Sequence, residues 1–526
     1  MLTGPVQRSF RSSSFAPAGR QAWNDDRGRA WSGRTRRKFI QIDSVPARHY
    51  SIRGPEGMGR CARDELDRFW AGGAVPPPGS GRSSSVPEEW TPRSTLASPD
   101  RIVRVASEDH LCDVLSRSRA SPMTVLGGGY SRQRLVHAGT GLLLDVTRMS
   151  GLTELGADTA TFRAGTRLEV VHAVLRSIGR RMDCSPGVIA MQTLAGAIGT
   201  GTHGQGMRQS TLGDAIESVR LVDVEGVPHV VRRGDPEFGA LQLHLGVLGV
   251  ITELEVRTVP WTVHTCEKIA VGEEDFLGGF PEWSERYEFC KAWWFPQQRN
   301  GHVWRVREAA PHEQERFHRS GDQLVELTRE NRSLNETVLA TMDVMERHTR
   351  TTDPTRDQFR TVTRFMDFRD VTGDLYELLC KGIPVAQVNL EVALPFERFH
   401  RAQEALRRWF DRRRPELHYP VIVRATGASG AWLSPAHGTP SCYYGFVVYR
   451  AVDGSLPGDA MSALREAEEL LAAEGGKPHW GKHFTPALYD FPRLFERWDD
   501  FLAVMRKADP DGRLGSTFTR SLLEQV

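Results

Sequence analysis

The sequence contains no long apolar segment, and its charges nearly cancel. No hydrophobic run in the 526 residues approaches the ~20 residues that a membrane-spanning helix needs. The sequence therefore predicts no membrane span. The 68 basic side chains are offset by 66 acidic ones, which leaves a formal net charge of +2. Because nucleic-acid binding depends on a concentrated basic surface, this balance also predicts that nucleic acid is not a partner.

Cysteine is scarce and scattered. The seven cysteines include no CxxC pair, and their odd number favours reduced thiols over a framework of disulfides. A basic segment near the N-terminus contains the pair Arg36 and Arg37. Polar residues follow that pair, whereas an export signal needs an apolar stretch there. We therefore expect a cytoplasmic protein.

The composition changes near residue 95. Residues 1–95 are rich in Arg, Ser, Gly and Pro, a composition that buries too little apolar surface to offset the entropy of folding, so we predict a disordered tail. A single hydrophobic core stops growing at about 250–300 residues, so the remainder predicts two lobes. Alternating strand and helix patterns place one lobe at 96–262 and the other at 263–475, followed by the segment 476–526. In that last segment we predict one helix over residues 492–507.

Glycine, by contrast, is concentrated in three places. Residues 127–131 read Gly-Gly-Gly-Tyr-Ser directly after a predicted strand. Residues without a Cβ let successive backbone N–H groups converge, which suits a pyrophosphate; taken alone, such a loop is more often an ordinary turn. A second stretch, 186–204, alternates small residues with hydroxyls and amides, and its apolar side chains are unusual for a bare surface loop. The third stretch, 246–252, enters a strand through glycines.

In this order and spacing, the three pieces resemble the FAD-binding domain of the vanillyl-alcohol-oxidase/para-cresol-methylhydroxylase (PCMH) superfamily. More narrowly, the chain resembles the sugar-lactone oxidases (gulonolactone, D-arabinono-1,4-lactone and galactonolactone types) and the alditol oxidases. Their Gln-Thr-x-Gly-Gly-Ala-Ile-Ser-Thr-Gly-Thr-His-Gly pattern is matched over residues 192–204, with Ala195 and Gly199 as small-residue substitutions. The similarity continues through residues 389–395, 419–424, 433–435, 479–482 and 509–514.

This resemblance implies both a fold and a reaction. The fold would be α+β: a PCMH-type FAD-binding domain of two α/β subdomains (96–262), an α+β substrate or cap domain with an antiparallel sheet (263–475), and a C-terminal segment that returns to the flavin (476–526). The reaction would oxidise a CH–OH group of a small molecule, such as a sugar lactone, a polyol or a hydroxylated specialised metabolite. Hydride would pass to flavin N5, and oxygen or another acceptor would reoxidise the flavin. No metal is implied.

The resemblance also assigns cofactor-binding residues. The pyrophosphate would be held by Gly127, Gly128, Gly129, Tyr130 and Ser131. The ribityl and isoalloxazine region would be lined by Gln192, Thr193, Gly196, Ala197, Gly199, Thr200, His203 and Gly204. Val250 and Ile251 would flank the adenine or ribityl portion. Many relatives carry a histidine, covalently joined to the flavin, where this chain has Tyr130, so we predict noncovalent FAD.

Catalytic roles follow from the same matches. Lys482, in the pattern His-Trp-x-Lys, would stabilise the negative charge that hydride transfer leaves on the pyrimidine end of the flavin. Arg424 would bind the substrate oxygen. The family pattern on this strand is Glu-x-Arg, but here the glutamate position holds Ile422, which cannot move a proton. Glu391 is a possible substitute, although a structural role in its strand competes with that interpretation, and His479, His483 and Tyr443 are weaker candidates.

Three interpretations of Ile422 stay open at this point. Another base, such as a histidine tuned near neutral pH, could serve; the substrate could be less polar than a sugar; or the chemistry could have moved to the tailoring of specialised metabolites. Two rival functions keep the fold. One is a flavin reductase fed by NADPH, and the other is a scaffold protein that retains FAD without turnover.

Overall fold

The computed structural model describes residues 96–131, 134–184, 187, 189–319, 367–379, 387–415, 417, 420–449, 456 and 458–524. The predicted tail, 1–95, lies outside these residues. Within them, no helix is both long enough and apolar enough to cross a bilayer. None of the five described cysteines takes part in a disulfide.

Two sheets form the first part of the described chain. A small parallel sheet of order β1-β3-β2 consists of β1 (Ile102–Arg104), β2 (Met123–Leu126) and β3 (Leu142–Asp145). An antiparallel sheet of order β4-β5-β9-β7-β8, with β6 paired to β9, consists of β4 (Leu152–Leu155), β5 (Thr159–Arg163), β6 (Arg180–Met182), β7 (Ile216–Val222), β8 (Pro228–Arg232) and β9 (Val250–Pro260).

A third, eight-stranded antiparallel sheet follows almost at once after β9. Its order is β13-β10-β12-β11-β15-β16-β14-β17. Its strands are β10 (His264–Gly272), β11 (Phe289–Phe295), β12 (Asn300–Glu308), β13 (Phe368–Gly373), β14 (Gln387–Pro395), β15 (Val421–Thr426), β16 (Ser441–Tyr449) and β17 (Lys477–Pro478). The described chain therefore contains both helices and largely antiparallel sheets, as the α+β class predicts. The antiparallel sheet expected in the second half of the chain is confirmed.

Helices connect many of the strands and pack against the sheets. In chain order they are α1 (Glu108–Arg117), α2 (Leu168–Ser177), α3 (Leu194–Gly199), α4 (Phe238–Leu241), α5 (Glu273–Arg286), α6 (Pro311–Arg319), α7 (Leu375–Leu379), α8 (Phe399–Arg413), α9 (Ala460–Ala473), α10 (Phe491–Leu494), α11 (Trp498–Ala508) and α12 (Thr517–Leu523). The prediction of a single helix over 492–507 is wrong in one respect, because the helix is interrupted between α10 and α11. There Phe495 turns fully into the core beside Trp480.

The two faces of the eight-stranded sheet have different partners. One face packs on α5, α8 and α9 through an apolar cluster that includes Trp294, Leu406 and Leu464. The opposite face carries Trp293 and Trp304 in a second apolar cluster. Trp293, Trp294 and Trp304 are therefore core residues, at 5% exposure or less.

The C-terminal segment belongs to the core of the first part of the chain. Trp480, Phe491 and Trp498 share one apolar cluster with Phe162 of β5 and Leu254 of β9. An isolated parallel bridge joins Met123 of β2 to Leu514. These contacts bring residues 479–482 beside β14 of the eight-stranded sheet, where the backbone N–H of His479 donates to Glu391 O.

Candidate active site

The glycine turn after β2 lines a cleft of about 770 Å³. Its walls come from the turn itself, from helix α3 and from residues 244–251. No carboxylate is among the described residues that line it, so the electrostatics suit an anionic ligand. The cleft continues into a second one of about 840 Å³, because Tyr130, Ser131, Gln192 and Thr200 line both.

The turn has the features that a bound diphosphate requires. A Cβ on Gly127 would lie 2.2 Å from Thr193 Oγ1, and Gly129 adopts a φ of +73°, so neither position tolerates an ordinary side chain. The amide N–H groups of Gly128 and Gly129 donate to no acceptor among the described residues. Unpaired donors at a Cβ-free turn form an anion-binding concavity. The residues present therefore fit the diphosphate of FAD.

Helix α3 and His244 shape the wall of the first cleft. The Thr193 hydroxyl caps α3 by accepting from Gly196 N at 3.3 Å. His244 packs so closely on Gly199 that an added Cβ would lie 2.7 Å from the ring. The ring accepts from Gly246 N through Nδ1 and donates to Ala195 O through Nε2. Sequence reasoning missed His244, although it directly precedes the third glycine stretch.

The floor of the second cleft is one face of strands β14, β16 and β15. Alternate residues point to the same face of a strand, and the cleft is lined by Gln387, Asn389, Glu391, Gly445, Val447, Tyr449, Ile422 and Arg424. The register places Gly445 between Glu391 on one side and Ile422 on the other. A Cβ on Gly445 would lie 3.6 Å from Glu391 Oε1 and 3.4 Å from Ile422 Cβ. Because Gly445 has no side chain, the Glu391 carboxylate reaches across it toward β15.

An ion pair occupies the centre of this floor. Arg424 Nη2 donates to Glu391 Oε1, and both side chains are buried, with 9% and 2% exposed. Burial acts to raise the pKa of Glu391, but the charge of Arg424 holds it well below its usual range. The carboxylate is therefore ionised. Arg424 Nε is buried and has no acceptor among the described residues.

Two buried histidines flank the ion pair as opposite tautomers. His203 Nδ1 lies 3.0 Å from Gly204 O and must donate, so its Nε2 accepts from Arg424 Nη2 at 3.3 Å. In His479 the reverse holds, because Nδ1 accepts from Gly481 N at 3.0 Å and the ring proton is left on Nε2. Burial and the nearby Arg424 charge lower the pKa of His203 to about 4. Burial also holds the pKa of His479 well below its usual value, so both rings are neutral.

The same residues form a group with the geometry of metal ligands. His203, Glu391 and His479 each offer a ligand atom, and these atoms lie within 4.8 Å of one another. However, His203 Nε2 and Glu391 Oε1 both face the guanidinium of Arg424. The Lys482 charge acts on Glu391 and on His479 as well. A cation would be repelled at this position, so the chemistry of the group favours an organic substrate oxygen.

The predicted site residues divide into those that line the clefts and those that do not. Lys482, Arg424, Glu391 and His479 all line the second cleft, together with His203, which the resemblance had assigned to the flavin region. Val250 lies in the core because the alternation of β9 turns Ile251 toward the first cleft instead. In α3 the helical period turns Gly196 and Gly199 toward the cleft.

The same helical period buries Ala197 in the core. Gly204 does not line either cleft; its carbonyl fixes the tautomer of His203. Of the three weaker candidates, Tyr443 and His483 also lie off the cleft walls, whereas His479 lines the second cleft. Tyr443 is buried beneath the site and stacks on His203 with ring centroids 3.7 Å apart. His483 donates its backbone N–H to Asn389 O.

The buried histidines predict how stability depends on pH. Burial lowers the pKa of both His203 and His244 to about 4, whereas an unfolded histidine titrates near ~6.5. Between these values the unfolded state binds protons that the folded state does not. The free energy of unfolding should therefore be highest above pH ~6.5 and fall toward pH ~4. Urea titrations at several pH values in this range measure the slope of the free energy of unfolding against pH. His244→Gln should reduce the slope, and the same change at exposed His400 should not; an unchanged slope in His244→Gln would contradict the prediction.

An anion-binding glycine turn that opens onto a buried ion pair, carried on an α+β scaffold, defines a nucleotide-cofactor oxidoreductase. Residues 99–232 match the model of an FAD binding domain. Residues 254–522, slightly more than half of the chain, match the D-arabinono-1,4-lactone oxidase family. The chain belongs to that family and is an FAD-dependent oxidoreductase of the kind that acts on CH–OH donors.

Relatives match most of the length of the chain. The L-gulono-1,4-lactone dehydrogenase of Mycobacterium tuberculosis is 27% identical, over 84% of this chain and 99% of the relative. The alditol oxidase of a Streptomyces species is 26% identical, over 84% of this chain and all of the relative. The crystal structure of cholesterol oxidase from B. sterolicum superposes with a TM-score of 0.63 at 13% identity, over 83% of this chain and 96% of that one. This last similarity concerns the fold.

Proposed function

We propose that the protein oxidises a small-molecule alcohol whose reacting CH–OH group lies in the second cleft against Arg424 and Glu391. The observation that carries this proposal is the unpaired, buried Nε–H of Arg424 beside an ionised carboxylate. A buried donor without a partner is costly, and an alcohol oxygen would satisfy it. Bound FAD supplies the acceptor for the hydride that leaves the carbinol carbon.

Each side chain has a defined task in this proposal. Arg424 Nε donates to the substrate oxygen, while Nη2 stays on Glu391 and His203. The hydroxyl proton passes to Glu391, whose Oε2 accepts no hydrogen bond from the described residues. A carboxylate of low pKa is a weak base, so the proton moves to Glu391 as the hydride leaves the carbinol carbon, and the product is a neutral carbonyl. Arg424 and His479 Nε2–H stabilise negative charge at this oxygen.

Lys482 is proposed to act on the cofactor. Its charge acts on Glu391 and His479, so its ammonium group lies within electrostatic reach of both. A fixed cation here stabilises the negative charge that builds up on the ring system when it receives a hydride. Oxygen or another acceptor then removes the two electrons.

The test of the function is anaerobic reduction of the purified flavoprotein by a panel of lactones, alditols and hydroxylated natural products. We expect loss of the oxidised flavin spectrum with at least one alcohol, one equivalent of carbonyl product per flavin, and recovery of the spectrum in air or with a dye. Reduction by NADPH alone would indicate the reductase instead. A flavin that no alcohol reduces, and that does not reoxidise after photoreduction, would indicate the scaffold.

We further propose that FAD is held without a covalent bond. Tyr130 stands where many relatives have the linking histidine, and its hydroxyl lies 3.3 Å from Met191 Sδ in the part-buried wall of the clefts. Acid denaturation followed by centrifugation should release all of the yellow chromophore into the supernatant. Chromophore that remains with the precipitated polypeptide would show a covalent bond.

A further inference from the structure

The second cleft extends well beyond the Arg424–Glu391 pair. Gln387, Asn389 and Glu391 alternate along β14, and they pair across the sheet with Tyr449, Val447 and Gly445 of β16 respectively. All six line the cleft. Strands rise about 3.4 Å per residue, so the row of Gln387 lies about 14 Å from the row of Glu391. The cleft therefore accommodates a molecule longer than its reacting end.

The middle of the cleft is apolar on the side of β15 and β16, whereas Asn389 of β14 pairs with Val447 in the same row. Ile422 lies beside the ion pair, Val447 lies one row further along the face, and Ile189 forms part of the wall. The neighbouring Gly445 contributes no polar group. Hydroxyl groups on the carbons next to the reacting centre would lose their hydration here without gaining equivalent partners. This section therefore favours hydrocarbon.

The far end is polar again, and one of its groups lacks a partner. Gln387 is 2% exposed, and its Oε1 accepts no hydrogen bond from the described part of the chain. Buried carboxamide oxygens are almost always hydrogen-bonded. The half-buried Asn389 lies one row nearer the ion pair. A hydrogen-bond donor on a ligand would satisfy Gln387.

We infer that the substrate is an elongated alcohol with three parts, and that Gln387 determines its specificity. The reacting CH–OH lies at Arg424, an apolar body lies along Ile422 and Val447, and a distal hydroxyl or amino group donates to Gln387. This inference rests on the proposed function and narrows its substrate class. It predicts preference for ω-hydroxylated hydrocarbons over densely hydroxylated alditols.

Three probes separate these features: octane-1,8-diol, 1-octanol and sorbitol, each used to reduce the holoenzyme anaerobically. We expect kcat/KM for the diol to exceed that for the mono-alcohol by about tenfold or more, since sites built to bind a polar group reject analogues that lack it. Sorbitol should be the poorest of the three. In Gln387→Leu the diol-to-octanol ratio should fall to about one, mainly through KM. Gln403→Leu is the matched control, because Gln403 is a fully buried glutamine of α8 outside the cleft, and it should keep the parent ratio.

The outcomes distinguish this inference from the function on which it rests. A parent ratio near one, or a ratio that Gln387→Leu leaves unchanged, would overturn the role of Gln387. Reduction by sorbitol or lactones but not by the diol would overturn the substrate class and leave the alcohol oxidation intact. If no alcohol reduces the flavin, both proposals fail. Should Gln387→Leu not fold, Gln387→Met tests the same ratio with an unbranched side chain.

Discussion

Replacing Arg424 by methionine should lower kcat for alcohol oxidation by about 10²–10³-fold and also destabilise the fold. Glu391 is 2% exposed. Among the described hydrogen bonds, its one positively charged partner is the Arg424 guanidinium. Removing one member of a buried ion pair leaves an uncompensated charge and costs about 3–5 kcal/mol. The loss of a preorganised donor to the reacting oxygen accounts for the rate. Stopped-flow flavin reduction and urea unfolding measure the two effects separately.

Two further variants separate charge from geometry. In the double variant Arg424→Met/Glu391→Gln the buried charge is gone, so most of the stability should return while the rate stays low. Arg424→Lys keeps the charge but not the fork that contacts Glu391 and His203 together, so it should fold well and still react slowly. Arg299→Met, which breaks the ion pair with Glu273 at the start of α5, outside the cleft, should not change the rate. Full activity in Arg424→Met would refute the role of Arg424.

Much of the fold could be predicted because its signals are local. Alternating apolar residues marked strands such as β2 and β9, and three glycine stretches marked the cofactor side. The resemblance supplied the domain order. The break between α10 and α11 could not be predicted in this way, since the helical period continues through Phe495. What ends the helix is the packing of Phe495 against Trp480, a contact that depends on tertiary structure.

The candidate site was harder to predict because its geometry depends on strand register. The sequence shows Ile422 where the family has glutamate, and it offers Glu391 only as a possible substitute with a competing structural role. In the sheet, Glu391 comes from a strand two positions away and reaches Arg424 across the intervening strand β16, beside Gly445. The positions of Glu391 and Arg424 in the sequence give no indication that their side chains are in contact. The pairing of His203 with Arg424 across the two halves of the chain is hidden for the same reason.

The site also shows why a histidine tuned near neutral pH is not needed as the base. Both flanking histidines are neutral, and their tautomers are fixed by backbone partners, Gly204 O in one and Gly481 N in the other. His479 has its proton on the nitrogen that is not bonded to the backbone, so it is a donor. His203 directs its only acceptor at Arg424. These contacts support the proposal that Glu391 accepts the substrate proton.

Replacing Lys482 by methionine should slow flavin reduction by about 10²–10³-fold, because a preorganised cation that meets developing charge contributes on this scale. The flavin midpoint potential should become more negative, since the reduced cofactor loses its stabilising charge. The pKa values of Glu391 and His479 should rise, because the Lys482 charge helps to lower both. The acidic limb of the pH–rate profile should then move to higher pH.

Lys477→Met is the matched control for this change. Lys477 lies five residues earlier, its ammonium contacts the ring of Phe495 at 5.3 Å, and it does not line the second cleft. Its replacement should affect stability alone. If Lys482→Met lowered the rate without moving either the midpoint potential or the pH profile, the lysine would act by positioning the substrate. If neither rate nor potential changed, the proposed electrostatic role of Lys482 would be wrong.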